Sequence, residues 1–226
     1  MSRYRDIIKF RKSFDLVTNW VHYPIAGFLC TLLSFTSITP NQITFLAVLS
    51  EIGAVYFILT DFESTRIWIV VLLQLGWILD LMDGMMARYK KIGYYHPTNP
   101  TLQGAYFDAV SDHVKKFVII GSLSYQLSFI HQFGWQIGMM ALIMQGITQT
   151  EHTLRNMLIK SNNISLINGH TKENIIGNIA LLMNNIYLFY LVFIPINRID
   201  LLLMGFTIAN FILFIKRVIV FWLYEH

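Results

Sequence analysis

The stretch Ile67-Trp68-Ile69-Val70-Val71-Leu72-Leu73-Gln74-Leu75-Gly76-Trp77-Ile78-Leu79-Asp80-Leu81-Met82-Asp83-Gly84-Met85-Met86-Ala87-Arg88 decides how this chain is read. A bilayer's hydrocarbon core is about 30 Å thick and a helix rises about 1.5 Å per residue, so roughly 20 mostly apolar residues suffice to cross it. This run is long and apolar enough, and it carries no charge before Asp80. Two carboxylates near one end of such a helix are expensive, and they need a reason to be there.

Five further stretches have the same character: Gln42–Thr60, Gly104–Ile130, Gly134–Leu158, Ile175–Pro195 and Asp200–Leu223. The expected fold is therefore all-α, a polytopic integral membrane protein with six transmembrane helices over residues 41–226. Residues 1–40 precede them as an N-terminal interfacial amphipathic helix region. There a basic start (Arg3, Arg5, Lys9, Arg11, Lys12) leads into a shorter apolar run, Trp20 to Ile38, broken by Pro24. Trp20 and Tyr23 suit the headgroup level, and the cations suit anionic lipid. Composition agrees, because the 226 residues are 55% hydrophobic and only 13% charged. Cys30 is the single cysteine, which excludes a disulfide-stapled secreted module.

Charge sorting sets the orientation. With six spans and a cytoplasmic N-terminus, all of the 17 Lys and Arg except Arg66 and Arg198 fall on the cytoplasmic side or at helix ends near it. A seventh span before Asn41 would put the five N-terminal cations on the opposite face from the rest. The charges thus form a membrane-side rim, and nucleic-acid binding loses its motivation despite a pI near 9.1. The sequon Asn163-Ile164-Ser165 is expected in a cytoplasmic loop. Met1 is expected to be retained, since no small-residue cleavage site follows the polar start.

The second and third spans carry the chemistry. Asp80 and Asp83 are three residues apart on one helix face, and Asp108 and Asp112 are four apart on another. Each embedded Asp costs up to about 3 kcal/mol at a helix centre. Arg88, Lys115 and Lys116 are few and are expected near the rim. A divalent cation resolves the conflict, because Mg²⁺ and Mn²⁺ favour carboxylate oxygens and keep open positions for phosphate. Gly84 and Gly104 leave the backbone bare beside these carboxylates, so that a nucleotide or phosphate can approach, although glycine in a membrane helix is also an ordinary packing device. The same quartet suits a divalent cation or proton transporter. Such a path needs polar groups toward the far face, where these two spans supply little beyond Gln74, Ser122, Ser124 and Gln126.

The string Asp80-x2-Asp83-Gly84-x2-Ala87-Arg88 … Gly104-x3-Asp108-x3-Asp112 resembles the signature of the CDP-alcohol phosphotransferases (CDP-alcohol phosphatidyltransferase class I), integral membrane enzymes that make phospholipids by displacing CMP. Ile38-Thr39-Pro40-Asn41-Gln42-Ile43-Thr44 is similar to the Thr-Pro-Asn-x-x-Thr segment that opens the first span in these enzymes. The resemblance implies Asp80, Asp83, Asp108 and Asp112 as ligands of two divalent ions, with Asp112 also the general base on the acceptor hydroxyl. It implies Pro40, Asn41, Gly84, Ala87, Arg88 and Gly104 as the donor-binding set, with CDP-diacylglycerol as the donor. Lys115, Lys116 and Arg155 are the candidates for an acceptor phosphate, with snorkelling to lipid headgroups as the alternative. A homodimer is implied, for which Gly134-x3-Gly138 offers a packing motif. One departure stands out, since fifteen residues, Tyr89 to Gln103, separate the Arg from the second Gly where members usually have eight. Pro97 and Pro100 make this a loop at the cytoplasmic mouth. His113 stands where several members carry Lys or Arg. Glu51 lies mid-span with no partner evident in the sequence.

Overall fold

The structure, a computed structural model, describes residues 2–12, 15–161, 182 and 185–224, and all regular structure among them is helical. The chain runs through α1 (Ser2–Ile8), a π-helical turn (Thr18–His22), α2 (Tyr23–Leu33), α3 (Pro40–Thr60), α4 (Phe62–Lys90) and a 3₁₀ turn (Gly93–Tyr95). It continues through α5 (Gln103–Ile130), α6 (Gly134–Ser161), α7 (Ile186–Phe193) and α8 (Ile199–Tyr224).

Among the described residues, three segments are long and apolar enough to cross a membrane: Pro40–Thr60, Phe62–Tyr95 and Ile199–Leu223. They match the first, second and sixth expected spans. α5 and α6, each of 28 residues, occupy the third and fourth, and their polar residues dilute the apolar character. Of the fifth stretch only the last part is described, as α7. Its beginning and the sequon Asn163-Ile164-Ser165 lie outside the described residues.

The chain divides into two compact units, residues 1–119 and 120–226. In the first, α3 and α4 form a hairpin turning at Asp61, whose carboxylate accepts from the Ser64 amide at 3.4 Å. Thr39 begins α3 with a capping box: its hydroxyl accepts from the Gln42 amide, and the Gln42 side chain accepts from the Thr39 amide. Pro40 follows at the first helical position, where a missing N–H costs nothing. Ile43, Ala47, Ala54 and Ile58 of α3 and Ile69, Leu73, Met85 and Met86 of α4 are fully buried. The Met85-Met86 pair therefore packs in the core. On its other side α3 exposes Phe45, Leu46, Leu49, Ile52 and Tyr56, an apolar surface suited to lipid rather than water.

The N-terminal region belongs to the same unit. α1 lies against α2 at Gly27, where a Cβ would stand 2.8 Å from Ile8 Cδ1. Cys30 is buried with its Sγ 3.5 Å from the Met82 carbonyl of α4. His22 Nε2 and Gln74 Oε1 are hydrogen-bonded at 2.9 Å, which accounts for a glutamine inside the second span.

In the second unit α6 and α7 pack on α8, with Tyr190, Leu202, Leu203 and Phe206 buried. Gly138 faces the Ser124 side chain and Gly134 the Leu127 backbone, both so closely that a Cβ has no room. The Gly134-x3-Gly138 motif is thus used between helices of the chain itself, because the absent side chains let two backbones approach.

Candidate active site

Asp80 and Asp83 reach the site from the C-terminal half of α4, and Asp108 and Asp112 from the N-terminal half of α5. One carboxylate oxygen each of Asp80, Asp108 and Asp112 lies within 4.8 Å of the others. Oxygens ligating one Mg²⁺ stand about 2.1 Å from it, so opposite ligands are separated by about 4.2 Å, close to this spread. The donor set therefore fits a small hard cation.

A cation of the protein's own already sits there. Lys115 Nζ is 2.9 Å from Asp80 Oδ1 and 3.0 Å from Asp112 Oδ1, with its side chain only 3% exposed. The sequence places Lys115 near the rim among acceptor-binding cations, but one helical turn past Asp112 brings it back into the carboxylates. Its third acidic neighbour is Glu51 of α3, whose Oε1 lies 3.9 Å away. The partner that the sequence does not reveal for Glu51 is thus supplied by α5. No local pattern marks this pair, whose members are far apart in sequence and on different helices.

Asp83 is bonded to α3. Thr44 Oγ1 donates to Asp83 Oδ2 at 2.5 Å and also lies 3.2 Å from the Pro40 carbonyl. The last residue of the Thr-Pro-Asn-x-x-Thr segment therefore ties the first turn of α3 to α4.

Beside the carboxylates lies a cavity of about 350 Å³, lined by Pro40, Asn41, Thr44, Asp83, Gly84, Ala87, Arg88, Gly104 and Asp108. All six donor-binding candidates line it. Gly104 meets Asn41 face to face, and a Cβ there would stand 2.8 Å from the Asn41 Oδ1. Gly84 lies under the Arg88 guanidinium, whose Nη1 would be 3.3 Å from an added Cβ. Both glycines thus keep the cavity open as well as packed. Arg88 is held in place, since its Nε donates to the Phe10 carbonyl at 2.7 Å and its guanidinium faces the Tyr95 ring with 5.9 Å to the centroid.

The long insertion forms part of the wall. α4 is capped by Lys91, which adopts the left-handed conformation (φ 52°), and Gly93 follows at φ 65°. The Gly93 carbonyl then accepts from the amides of His96 and Thr101, both at 3.1 Å, closing the loop on itself. Ile92, Gly93, Tyr94, Tyr95 and Thr101 face the cavity together with Lys12. These residues were invisible as site residues because nothing in their spacing says where a loop folds back.

Of the other acceptor candidates, Lys116 Nζ is 3.9 Å from Asp112 Oδ2 and half-buried. Arg155 belongs to the second unit, where its Nε is 3.0 Å from Glu151 Oε1, while Arg217 lies 3.5 Å from Glu151 Oε2.

A search of curated proteins finds no match. Residues 37–222 match the family model described as CDP-alcohol phosphatidyltransferase, a stretch that begins just before the Thr39 cap and contains every carboxylate of the site. With its membrane-spanning helices, its carboxylate cluster and a family match over most of its length, the chain belongs to the CDP-alcohol phosphatidyltransferases, membrane enzymes of phospholipid synthesis that transfer substituted phosphate groups.

Proposed function

We propose that the enzyme transfers a phosphatidyl group from CDP-diacylglycerol to the hydroxyl of a polar acceptor, releasing CMP. The observation that carries this reading is the convergence of Asp80, Asp108 and Asp112, of which Asp108, with Asp83, also lines the cavity walled by the donor-binding candidates. At about 350 Å³ the cavity is at the lower end of the range for small-molecule sites, about 300–1,000 Å³. Cytidine is placed beside the Pro40-Asn41 turn, Gly84 and Gly104, which line the cavity together. Arg88 binds a donor phosphate through its planar fork, pre-oriented by Phe10 and Tyr95.

Asp80, Asp83, Asp108 and Asp112 hold two divalent ions, Mg²⁺ or Mn²⁺, which when bound neutralise charge on the pyrophosphate and stabilise the CMP anion as it leaves. Asp112 takes the proton from the acceptor hydroxyl as its oxygen bonds to the phosphorus next to the lipid and the bond to CMP breaks. A half-buried side chain suits that task, being close to the ions yet reachable by a water-borne acceptor. Lys116, beside Asp112, is the cation placed to meet an acceptor phosphate, and Arg155 is a second candidate. Residues 1–40 form the cytoplasmic interfacial region of a six-span protein, whose N-terminus and active site share the cytoplasmic side and which pairs as a homodimer.

The test is product analysis. Purified protein with CDP-diacylglycerol, Mg²⁺ or Mn²⁺ and a panel of polar acceptors is expected to release CMP and form one phospholipid product seen by mass spectrometry. Asp112→Asn is expected to lose at least about a hundredfold in rate, and chelation of the metal to abolish turnover until Mn²⁺ is restored. CMP release by Asp112→Asn at the native rate would sink the base assignment. Uptake of ⁵⁴Mn²⁺ into liposomes without CMP formation would favour a transporter.

A further inference from the structure

We infer that Glu51 is the reserve counter-ion of Lys115, and that this buried pair releases Asp80 and Asp112 for metal binding. The inference rests on the two-metal reading above. Lys115 and Glu51 are almost fully excluded from solvent, with side chains 3% and 2% exposed. An ammonium this deep must stay next to a carboxylate, since an uncompensated charge in the interior is strongly destabilising. In the structure Asp80 and Asp112 supply that partner, at 2.9 and 3.0 Å. The lone pairs Lys115 engages on them belong to the same carboxylates that the ions need, so Lys115 and the metal compete.

Glu51 resolves the competition. Its Oε1 is 3.9 Å from Nζ, about 1 Å beyond hydrogen-bond distance, and the four-carbon lysine stem swings that far without moving the backbone. Once the four Asp are neutralised by two divalent ions, Lys115 and Glu51 neutralise each other. The fold reserves a place for this acid on the metal-ligand helix. Gly76 lies one turn before Asp80 on the same face of α4, and a Cβ there would be 2.6 Å from Glu51 Cγ and 2.8 Å from its Oε1. Glu51 thus nests against the bare backbone of Gly76, one turn deeper than the carboxylates it serves. It touches neither substrate nor metal and acts as a positioning residue.

Mn²⁺ titration followed by electron paramagnetic resonance, in detergent and without substrate, tests the inference on the intact protein. Glu51→Gln is expected to weaken Mn²⁺ binding by about 10- to 100-fold, the usual effect of losing a residue that orients metal ligands. Glu51→Asp, which keeps the charge, is expected to bind more tightly than Glu51→Gln. Gly76→Ala is expected to weaken binding by pushing Glu51 aside. Adding Lys115→Met to Glu51→Gln removes the competitor and is expected to restore binding toward the native value, which a merely structural role for Glu51 does not foresee. Native-like affinity in Glu51→Gln, or no recovery in the double variant while both elute as folded protein, overturns the inference and leaves the metal site standing. Absence of Mn²⁺ binding to the native protein, or binding that survives Asp80→Asn combined with Asp112→Asn, overturns the two-metal reading and this inference with it.

Discussion

Thr44 shows how one hydroxyl organises several constraints. It lies on the buried side of α3, 3% exposed, and donates to the carboxylate of Asp83. Replacing it by Val keeps the volume but leaves a buried carboxylate short of a donor, a loss of about 1–3 kcal/mol. Thr44→Val is therefore expected to unfold at lower temperature in detergent, while Thr44→Ser, which retains the hydroxyl, stays near the native midpoint. Gly104 is constrained by space instead. An added Cβ at 2.8 Å from the Asn41 Oδ1 forces that side chain, which lines the cavity, to shift. Overpacking of this kind costs about 1–3 kcal/mol, or roughly 5- to 150-fold in KM for the CDP-linked donor. Gly104→Ala is expected to raise that KM with little change in kcat, and adding Asn41→Gly to recover part of it. A Gly104→Ala enzyme with native KM would show that the donor binds elsewhere. The carboxylates were readable in the sequence because a charge in an apolar helix is conspicuous. The Thr44–Asp83 bond was not, since a hydroxyl in a helix ordinarily bonds to its own backbone one turn back.

Among the elements, the α3–α4 hairpin and the insertion after it contrast most. The hairpin follows from local rules: Thr39 and Gln42 cap one helix, Asp61 caps the next, and the apolar runs are long enough to span. The expected ends, Gln42–Thr60 and Ile67–Arg88, lie inside the observed Pro40–Thr60 and Phe62–Lys90. The differences come from polar first turns, which hydropathy undervalues and capping stabilises. For the insertion, Pro97 and Pro100 revealed a loop but not its path. That path is set by Lys91 and Gly93 at positive φ and by the bonds to the Gly93 carbonyl. Gly93→Ala places a Cβ in the left-handed region at a cost of about 1–2 kcal/mol. The loop that carries Tyr94 and Tyr95 is then expected to lose its hold on the cavity, with a higher donor KM and faster proteolysis between α4 and α5. Unchanged KM and unchanged cleavage would show that the wall does not depend on this turn.

For the whole molecule, the testable quantity is sidedness. In a Cys30→Ala background, Thr98→Cys in the insertion and Glu63→Cys at the start of α4 are expected to face opposite sides of the membrane. A membrane-impermeant maleimide should label Thr98→Cys only from the cytoplasmic side of sealed vesicles and Glu63→Cys only from the other. Labelling of both from one side would refute the six-span orientation. By itself the sequence determined the helical membrane class, the family and the four Asp, because hydropathy, helical period and motif spacing are properties of a single continuous segment. Only the tertiary structure decided that Lys115 enters the carboxylate cluster, that Glu51 stands behind it in the slot left by Gly76, and that Tyr94 and Tyr95 wall the cavity. Each of those facts depends on how one helix is rotated against another or where a loop returns, and packing across segments sets both.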